Sequence, residues 1–305
     1  MDLIMKKEKI TVNFVDFWPN LIKTDNYFYH LLSQEFDVII TEDEPDILFH
    51  SVDYFKQQNH LKYNNGKTKK VFYTGENQPA DFNQSHFAFT FENIDDERNY
   101  RLPLWALHLN WFNVHHNEKR DQSYLHSVDK FLQKDLSNLI DKKWFCSFVA
   151  TQPKGKRVDF VPKLMKRGKV HCGGGLYNNI GGLLEGRGDQ ENKINFLNFF
   201  KFNISFENTS NNGYVTEKII QPMFTNTIPI YWGAPDVIYD FNQKSFINAH
   251  SFGSDEELID YIFEVDNNQS LYEEILSEPW FNNNQVPDFV NPKNVLTYIK
   301  DIILK

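Results

Sequence analysis

The sequence predicts an α/β protein of two domains with mainly parallel sheets, on three observations. At 305 residues the chain is too long for one ordinary domain and suits two. Short apolar runs alternate with longer stretches of helical spacing, the pattern of strand–helix–strand units. That alternation occurs twice, on either side of a polar stretch at 117–141 that reads as helix or linker.

In the first half, strands are expected at 10–17, 36–40, 47–50, 70–73 and 86–90. Each is a short apolar run rich in β-branched or aromatic residues. A helix is expected at 25–34, where apolar residues recur at helical spacing. In the second half, strands are expected at 144–150, 169–172, 202–206, 228–231 and 245–248. Helices are expected at 157–167, 193–200, 216–225, 254–265, 270–276 and 292–304. These elements divide the chain into domains at 1–135 and 136–305, with the last helix available to pack back on the first domain. In open sheets of this kind ligands sit beyond the carboxyl ends of the strands, so residues just after each strand are the candidates for function.

Composition narrows the function. Hydrophobic residues make up 41%, enough for packed cores and too many for a disordered chain. Aromatics reach 16%; most serve the core, and ring faces also stack on pyranose C–H surfaces. A net charge of −9 argues against a broad nucleic-acid surface, so an anionic ligand needs a few placed cations. Cys146 and Cys172 cannot form a disulfide framework and fit a reduced compartment. No apolar run approaches the ~18–20 residues that cross a bilayer, and the charged N-terminus lacks a signal-peptide core. Glycosylation triplets begin at Asn83, Asn203, Asn208 and Asn268. Two lie in the segment read below as the active site, where a glycan would obstruct it. The expectation is a cytoplasmic protein, either free or peripheral at the inner face of a membrane.

Several familiar motifs fail. The run Gly173-Gly174-Gly175 follows a strand but lacks the glycine at 178 of a dinucleotide fingerprint and the Gly-Lys-Ser/Thr of a P-loop. It reads as a tight turn. His115-His116 has no carboxylate or cysteine at metal-ligand spacing and reads as a surface pair. No Asp-x-Asp triplet occurs to hold a divalent cation against a sugar diphosphate, and Glu42-Asp43-Glu44 before Pro45 is a solvated turn.

The informative segment is 201–236, KFNISFENTSNNGYVTEKIIQPMFTNTIPIYWGAPD. A buried strand ends at Glu207-Asn208, a polar loop with Gly213 follows, and Thr216-Glu217-Lys218 opens a helix. Thr216 suits the N-cap and Glu217 the first turn. A helix amino end directly after a strand offers free N–H groups and a positive dipole end, a natural seat for phosphate, and Lys218 adds a full charge. The next strand ends at Gly233-Ala234-Pro235 on the same edge.

This segment resembles the signature of the α-1,3/4-fucosyltransferases, particularly the bacterial α-1,3 enzymes of glycosyltransferase family 10. The resemblance rests on Phe206-Glu207-Asn208, Gly213-Tyr214-Val215-Thr216-Glu217-Lys218-Ile219 and Thr227-Ile228-Pro229-Ile230-Tyr231-Trp232-Gly233. It continues through Asp240-Phe241-Asn242 and Lys244-Ser245-Phe246, with an upstream match at Phe72-Tyr73-Thr74-Gly75-Glu76-Asn77. A looser match covers 145–150, Arg157 and 173–175, so the likeness runs in order from about 71 to 252. It implies the GT-B architecture, two facing Rossmann-like domains. It also implies inverting transfer of fucose from GDP-fucose, without an obligatory metal, to an oligosaccharide or glycolipid acceptor. By analogy the acceptor is the 3-hydroxyl of N-acetylglucosamine in N-acetyllactosamine, giving a Lewis x-type product.

The resemblance also implies roles. Glu76 is the candidate general base, its plain alternative being a turn carboxylate. Glu217 favours the oxocarbenium charge or holds fucose hydroxyls, and its simpler role is to stabilise the helix start. Arg157 and Lys218 are the phosphate cations, Arg157 being otherwise a surface residue of a basic run. Asn208, Tyr214, Val215 and Thr216 complete the donor-binding set. Trp18, Trp105 and Trp111 are candidates for an acceptor cleft or for the core.

Three features depart from the family pattern. Pro222 falls inside the expected helix and is expected to kink it. The loop at 181–190 is long, and the basic amphipathic tail of some relatives is missing, the chain ending in a packed helix. Two other readings stay open: a GT-B transferase for another nucleotide sugar, and a glycan-binding protein on an inactive transferase scaffold. Retention of Glu76, Arg157, Glu217 and Lys218 argues against the second.

Overall fold

The computed structural model describes residues 7–19, 21–53, 55–113, 126–134, 142–184 and 190–304. The chain divides into two compact units, Met1–Leu104 with Asp288–Lys305, and Trp105–Pro287. His115-His116 and most of 117–141 lie outside the described residues, as does 185–189 within the long loop.

The first unit contains β1 (Glu8–Val15), α1 (Tyr27–Leu32), β2 (Phe36–Ile40), β3 (Ile47–His50), β4 (Lys69–Tyr73), β5 (Phe87–Thr90) and β6 (Asn99–Arg101). Its strands form one parallel sheet in the order β2-β1-β3-β4-β5-β6. The central strand β3 is buried at all four positions, which is why it reads as a plain apolar run and not as an alternating one. Helix α1 starts where the Asn26 side chain accepts from Tyr29 N, and it buries Phe28, Leu31 and Leu32. The Phe28 ring stacks on Phe49 of β3 at 4.6 Å, extending an aromatic core through Tyr73 and Phe89.

After β1 the chain turns at Asp16, whose φ of 59° is unusual for a residue with a side chain. Its carboxylate accepts from the backbone and side chains of Asn59 and His60 at 2.7–3.0 Å, which secures the turn. His60 stacks on His50 at 4.6 Å, and His50 Nε2 lies 2.8 Å from Ser85 Oγ.

Helix α2 (Leu104–Leu107) starts at the last residue of the first unit's leading segment, and the second unit continues with β7 (Leu109–Asn110), β8 (His126–Ser127) and α3 (Val128–Leu132). Its main body is β9 (Trp144–Phe148), α4 (Arg157–Met165), β10 (Val170–Cys172), α5 (Gln190–Leu197), β11 (Phe200–Phe206), α6 (Glu217–Phe224) and β12 (Ile228–Trp232). It closes with β13 (Ile247–Asn248), α7 (Asp255–Asn267) and α8 (Gln269–Ser277). The five long-unit strands make a parallel sheet ordered β10-β9-β11-β12-β13, and β7 pairs with β8. The two cysteines are buried and free.

The units divide at Leu104, earlier than the 135 read from the sequence. The reason is Trp105, fully buried in the second unit against Phe241 and Phe281, its Nε1 donating to Asp240 Oδ2 at 2.7 Å. Trp105 is thus a core residue and not part of a cleft. Trp111 is half-buried and donates to Ala106 O, while Trp18 is 40% exposed. The final helix α9 (Pro292–Tyr298) belongs with the first unit: Tyr298 packs on Phe89 and Tyr100 and donates to Glu97 O. The expected single helix at 292–304 gives way to a wider π-helical turn over Ile299–Ile303.

Candidate functional site

At the carboxyl edge of the second sheet, β11 and β12 run in register to Phe206 and Trp232, and Glu207 N then donates to Trp232 O at 2.7 Å. The loops that follow are tied together. Ser210 Oγ donates to Gly233 O at 2.7 Å, and Gly213 N donates to Asp236 Oδ1 at 2.7 Å. Gly213 has a φ of 74°, so the turn that leads to α6 uses a conformation open to glycine.

Thr216 occupies the N-cap of α6 in an extended conformation, as expected, but its hydroxyl does not cap the helix. It is drawn instead to Glu207: Thr216 N donates to Oε1 at 2.8 Å, and Oγ1 lies 2.8 and 2.9 Å from the two carboxylate oxygens. Lys218 Nζ completes the cluster, 3.1 Å from Glu207 Oε2, 2.9 Å from Thr216 Oγ1 and 3.4 Å from Glu217 Oε1. The Glu207 side chain is 0% exposed, whereas those of Lys218 and Glu217 are 22% and 20% exposed. A ligand can reach the last two and not the first.

Charge follows from this packing. Burial pushes the Glu217 carboxyl upward, but Lys218, then His108 and Lys193, outweigh it and hold the group ionised. Burial likewise works against the Lys218 ammonium, and Glu207 and Glu217 overcome it, so the lysine stays charged. Glu207 is pushed above the usual carboxylate range, its burial exceeding the help from Lys218. Burial holds His108 down at about 4, against the pull of Glu217.

Pro222 lies within α6 and is buried, and the helix is continuous from Glu217 to Phe224. The Pro222 carbonyl accepts from the backbone N of Thr225 and Thr227 and from Thr225 Oγ1, which closes the helix one turn later. Beneath the helix, Lys193 and Lys218 border a void of about 10 Å³ with Asn203 and Gln221. That is room for about one water.

The loop after β9 supplies the second cation. Gly155 (φ 67°) passes so close to Asn208 that an added Cβ would lie 2.8 Å from its carbonyl oxygen. Arg157 then opens α4 with its side chain inside the fold, 3% exposed, and Nε donating to Lys154 O at 2.7 Å. It is not the surface residue its basic neighbours suggested. Lys156 is, and pairs with Asp255 at 2.6 Å. Asn208 Oδ1 is buried with no protein partner. Tyr214 and Val215 are buried, so their side chains support the loop from below. The Gly173–175 run folds back on the β9 loop, with Leu176 N donating to Ala150 O, and serves as the expected turn.

Glu76 lies in the first unit, exposed, just beyond β4. Its backbone is fixed: Glu76 N donates to Thr74 Oγ1 at 3.0 Å, and Glu76 O accepts from Gln78 N. Three residues of the site carry no role in the sequence reading. Glu207 appeared there only as part of a motif, and Lys193 and His108 lie on separate segments. Among the described residues, no group of three or more His, Cys, Asp or Glu is placed to hold a metal ion, and no helix is long and apolar enough to cross a membrane.

Comparison with known proteins shows the family. Residues 140–301 match the model described as glycosyltransferase family 10 (fucosyltransferase) C-term, and residues 12–108 match the alpha-(1,3)-fucosyltransferase FucT N-terminal domain. The alpha-(1,3)-fucosyltransferase FucT of Helicobacter pylori is 35% identical over 276 residues, which is 83% of this chain and 56% of that protein. A mouse 4-galactosyl-N-acetylglucosaminide 3-alpha-L-fucosyltransferase 9 is 29% identical over 134 residues, 43% of this chain and 35% of that protein. The chain therefore spans from about a third to just over half of these two relatives. A crystal structure of an alpha1,3-fucosyltransferase with GDP-fucose superposes with a TM-score of 0.77 at 28% identity, covering 100% of this chain and 93% of that one. The fold is α/β of the GT-B class, with two Rossmann-like units.

Proposed function

Since the chain belongs to glycosyltransferase family 10, the fucosyltransferases, we propose that it transfers L-fucose from GDP-fucose to a hydroxyl of a glycan acceptor, with inversion at the anomeric carbon. One observation carries this reading. The amino end of α6, directly after β11, gathers Lys218 and Glu217 in the same unit as the inward-turned Arg157 and the unsatisfied Asn208 oxygen. A nucleotide diphosphate has the charge and shape for such an edge.

In the proposed mechanism the acceptor oxygen attacks the anomeric carbon and loses its proton to the Glu76 carboxylate. The bond from that carbon to the diphosphate oxygen breaks, and GDP leaves from the opposite face. Positive charge gathers on the sugar and negative charge on the phosphates. Glu217, held ionised by its neighbours, faces the first. Lys218 supplies a point charge and Arg157 a fork to the second, so protein cations take the place of a metal.

The acceptor is the 3-hydroxyl of N-acetylglucosamine in N-acetyllactosamine. The support is the 3-alpha specificity in the names of the relatives. The test is to incubate the protein with GDP-fucose, GDP-mannose and UDP-sugars, each with and without N-acetyllactosamine, in the presence of EDTA. Acceptor-dependent GDP release from GDP-fucose is expected. Consumption of another donor would assign the site to a different sugar, and no turnover with any donor would leave a glycan-binding protein.

A further inference from the structure

We propose that Glu207 is the positioning residue of the donor site, a buried counter-ion that holds Lys218 at the amino end of α6 and through it sets affinity for the donor diphosphate. The inference rests on the donor-site reading above and adds a residue to it.

The argument starts from donors and acceptors. A lysine ammonium has three N–H donors. Here they face Glu207, Thr216 Oγ1 and Glu217, so a phosphate oxygen can approach only by displacing one of them. The three contacts are not equally replaceable. Glu207 is sealed from solvent, and its carboxylate is also fixed by the Thr216 backbone and hydroxyl. The Glu217 contact is the longest, at 3.4 Å, and its side chain reaches solvent. A donor therefore exchanges with Glu217. One Lys218 proton turns to phosphate, and the Glu217 carboxylate is freed toward the sugar. Glu207 stays and keeps the ammonium from swinging after its ligand.

The site is built to keep Glu207 in place. Gly233 lies against it so closely that an added Cβ would fall 2.4 Å from Glu207 Cγ. Behind it, Tyr231 Oη accepts from Ala234 N at 3.1 Å. Lys218 and Glu217 from α6 face Glu207 as charged groups, and the neutral Tyr231 hydroxyl faces it from β12. Lys218 is the cation paired with it. A carboxylate buried beside a single lysine is costly without a purpose, since a hydrophobic replacement of such a pair is often neutral or stabilising.

The experiment is calorimetric titration of GDP into the full chain for wild type, E207Q, K218M and the double variant, with donor kinetics alongside. E207Q keeps the shape and the acceptor for Thr216 but removes the negative charge that faces Lys218. Its GDP Kd is expected to rise about tenfold, the scale of a lost charged hydrogen bond. Its KM for GDP-fucose should rise more than its kcat falls. Because Glu207 acts through Lys218, the double variant should bind GDP no more weakly than K218M. It should also melt above K218M, because the unpaired buried carboxylate is gone. Unchanged GDP affinity in folded E207Q, or additive losses in the double variant, would overturn the proposal. E207D, which keeps the charge but withdraws it from Lys218, decides the case if E207Q does not fold: wild-type affinity in E207D refutes it as well. Failure of the wild type to bind GDP would instead strike the donor-site reading itself.

Discussion

Replacing Gly233 with alanine tests the packing of the site without touching a charge. The new methyl would lie 2.4 Å from Glu207 Cγ, 3.0 Å from Glu207 Cβ and 2.5 Å from Tyr231 Oη. The backbone of Gly233 cannot easily retreat, because its carbonyl accepts from Ser210 Oγ at 2.7 Å and faces His250 Nε2 at 3.0 Å. Nor can Glu207 move freely, since its N is bonded to Trp232 O and its carboxylate to Thr216 and Lys218. Overpacking of this kind costs about 1–3 kcal/mol. At roughly 2–4 °C per kcal/mol for a domain of this size, Gly233→Ala should lower the melting temperature by about 2–12 °C. GDP affinity should fall with it, because relief of the clash rotates Glu207 away from Lys218. Gly182→Ala is the control, with nothing within 4 Å of its added Cβ. Calorimetric melting and GDP titration of both variants decide the matter. A Gly233→Ala protein that melts and binds GDP like the wild type would refute the packing argument.

Other predictions follow from buried groups. His50 and His126 are held at about 3 and His108 at about 4, in each case first by burial, so the folded state refuses protons that the unfolded chain accepts below its ordinary pKa near 6.5. Stability is therefore full above that pH and falls as pH drops toward 4, by up to about 1.4 kcal/mol per pH unit for each group. Urea midpoints across this range should show the fall, and His50→Phe should flatten it; an unchanged slope in that variant contradicts the assignment. Trp105→Phe removes the donor to Asp240, whose residue is 0% exposed, and should cost about 1–3 kcal/mol in urea unfolding. A change within error would show the bond to be dispensable. Glu76→Gln, at an exposed position, should abolish fucosyl transfer while leaving GDP affinity unchanged and stability within about 0.5 kcal/mol. Near-normal turnover would remove Glu76 as the base.

The parts of the fold that were legible are those whose signal is local. Strands β2 and β3 have the bounds read from the sequence: β3 is a buried apolar run closed by turn residues, and β2 is a short run of apolar, largely β-branched residues at the sheet edge. The edge strand β6, Asn-Tyr-Arg, has no such run and was not anticipated. The sequence marks a polar stretch at 117–141, whereas the compact units divide after Leu104, a division that depends on where Trp105 is buried, which is a tertiary fact. Pro222 stands near the end of a continuous helix, where its carbonyl accepts from Thr225 N, Thr227 N and Thr225 Oγ1, a closure that depends on the chain beyond the helix. In the site, the Thr216-Glu217-Lys218 helix start was readable from residue types in order. The partnership of Glu207 with Thr216, Lys218 and Gly233 was not, since these residues converge only after the sheet forms.

The central physical claim is that a nucleotide diphosphate rests at the amino end of α6. A crystal structure of the protein soaked with GDP tests it directly. The expected result is phosphate oxygens within hydrogen-bond distance of Lys218 Nζ and the Arg157 guanidinium, with the Lys218–Glu217 contact opened and the Lys218–Glu207 contact kept. GDP bound elsewhere, with neither cation in reach, would contradict the account.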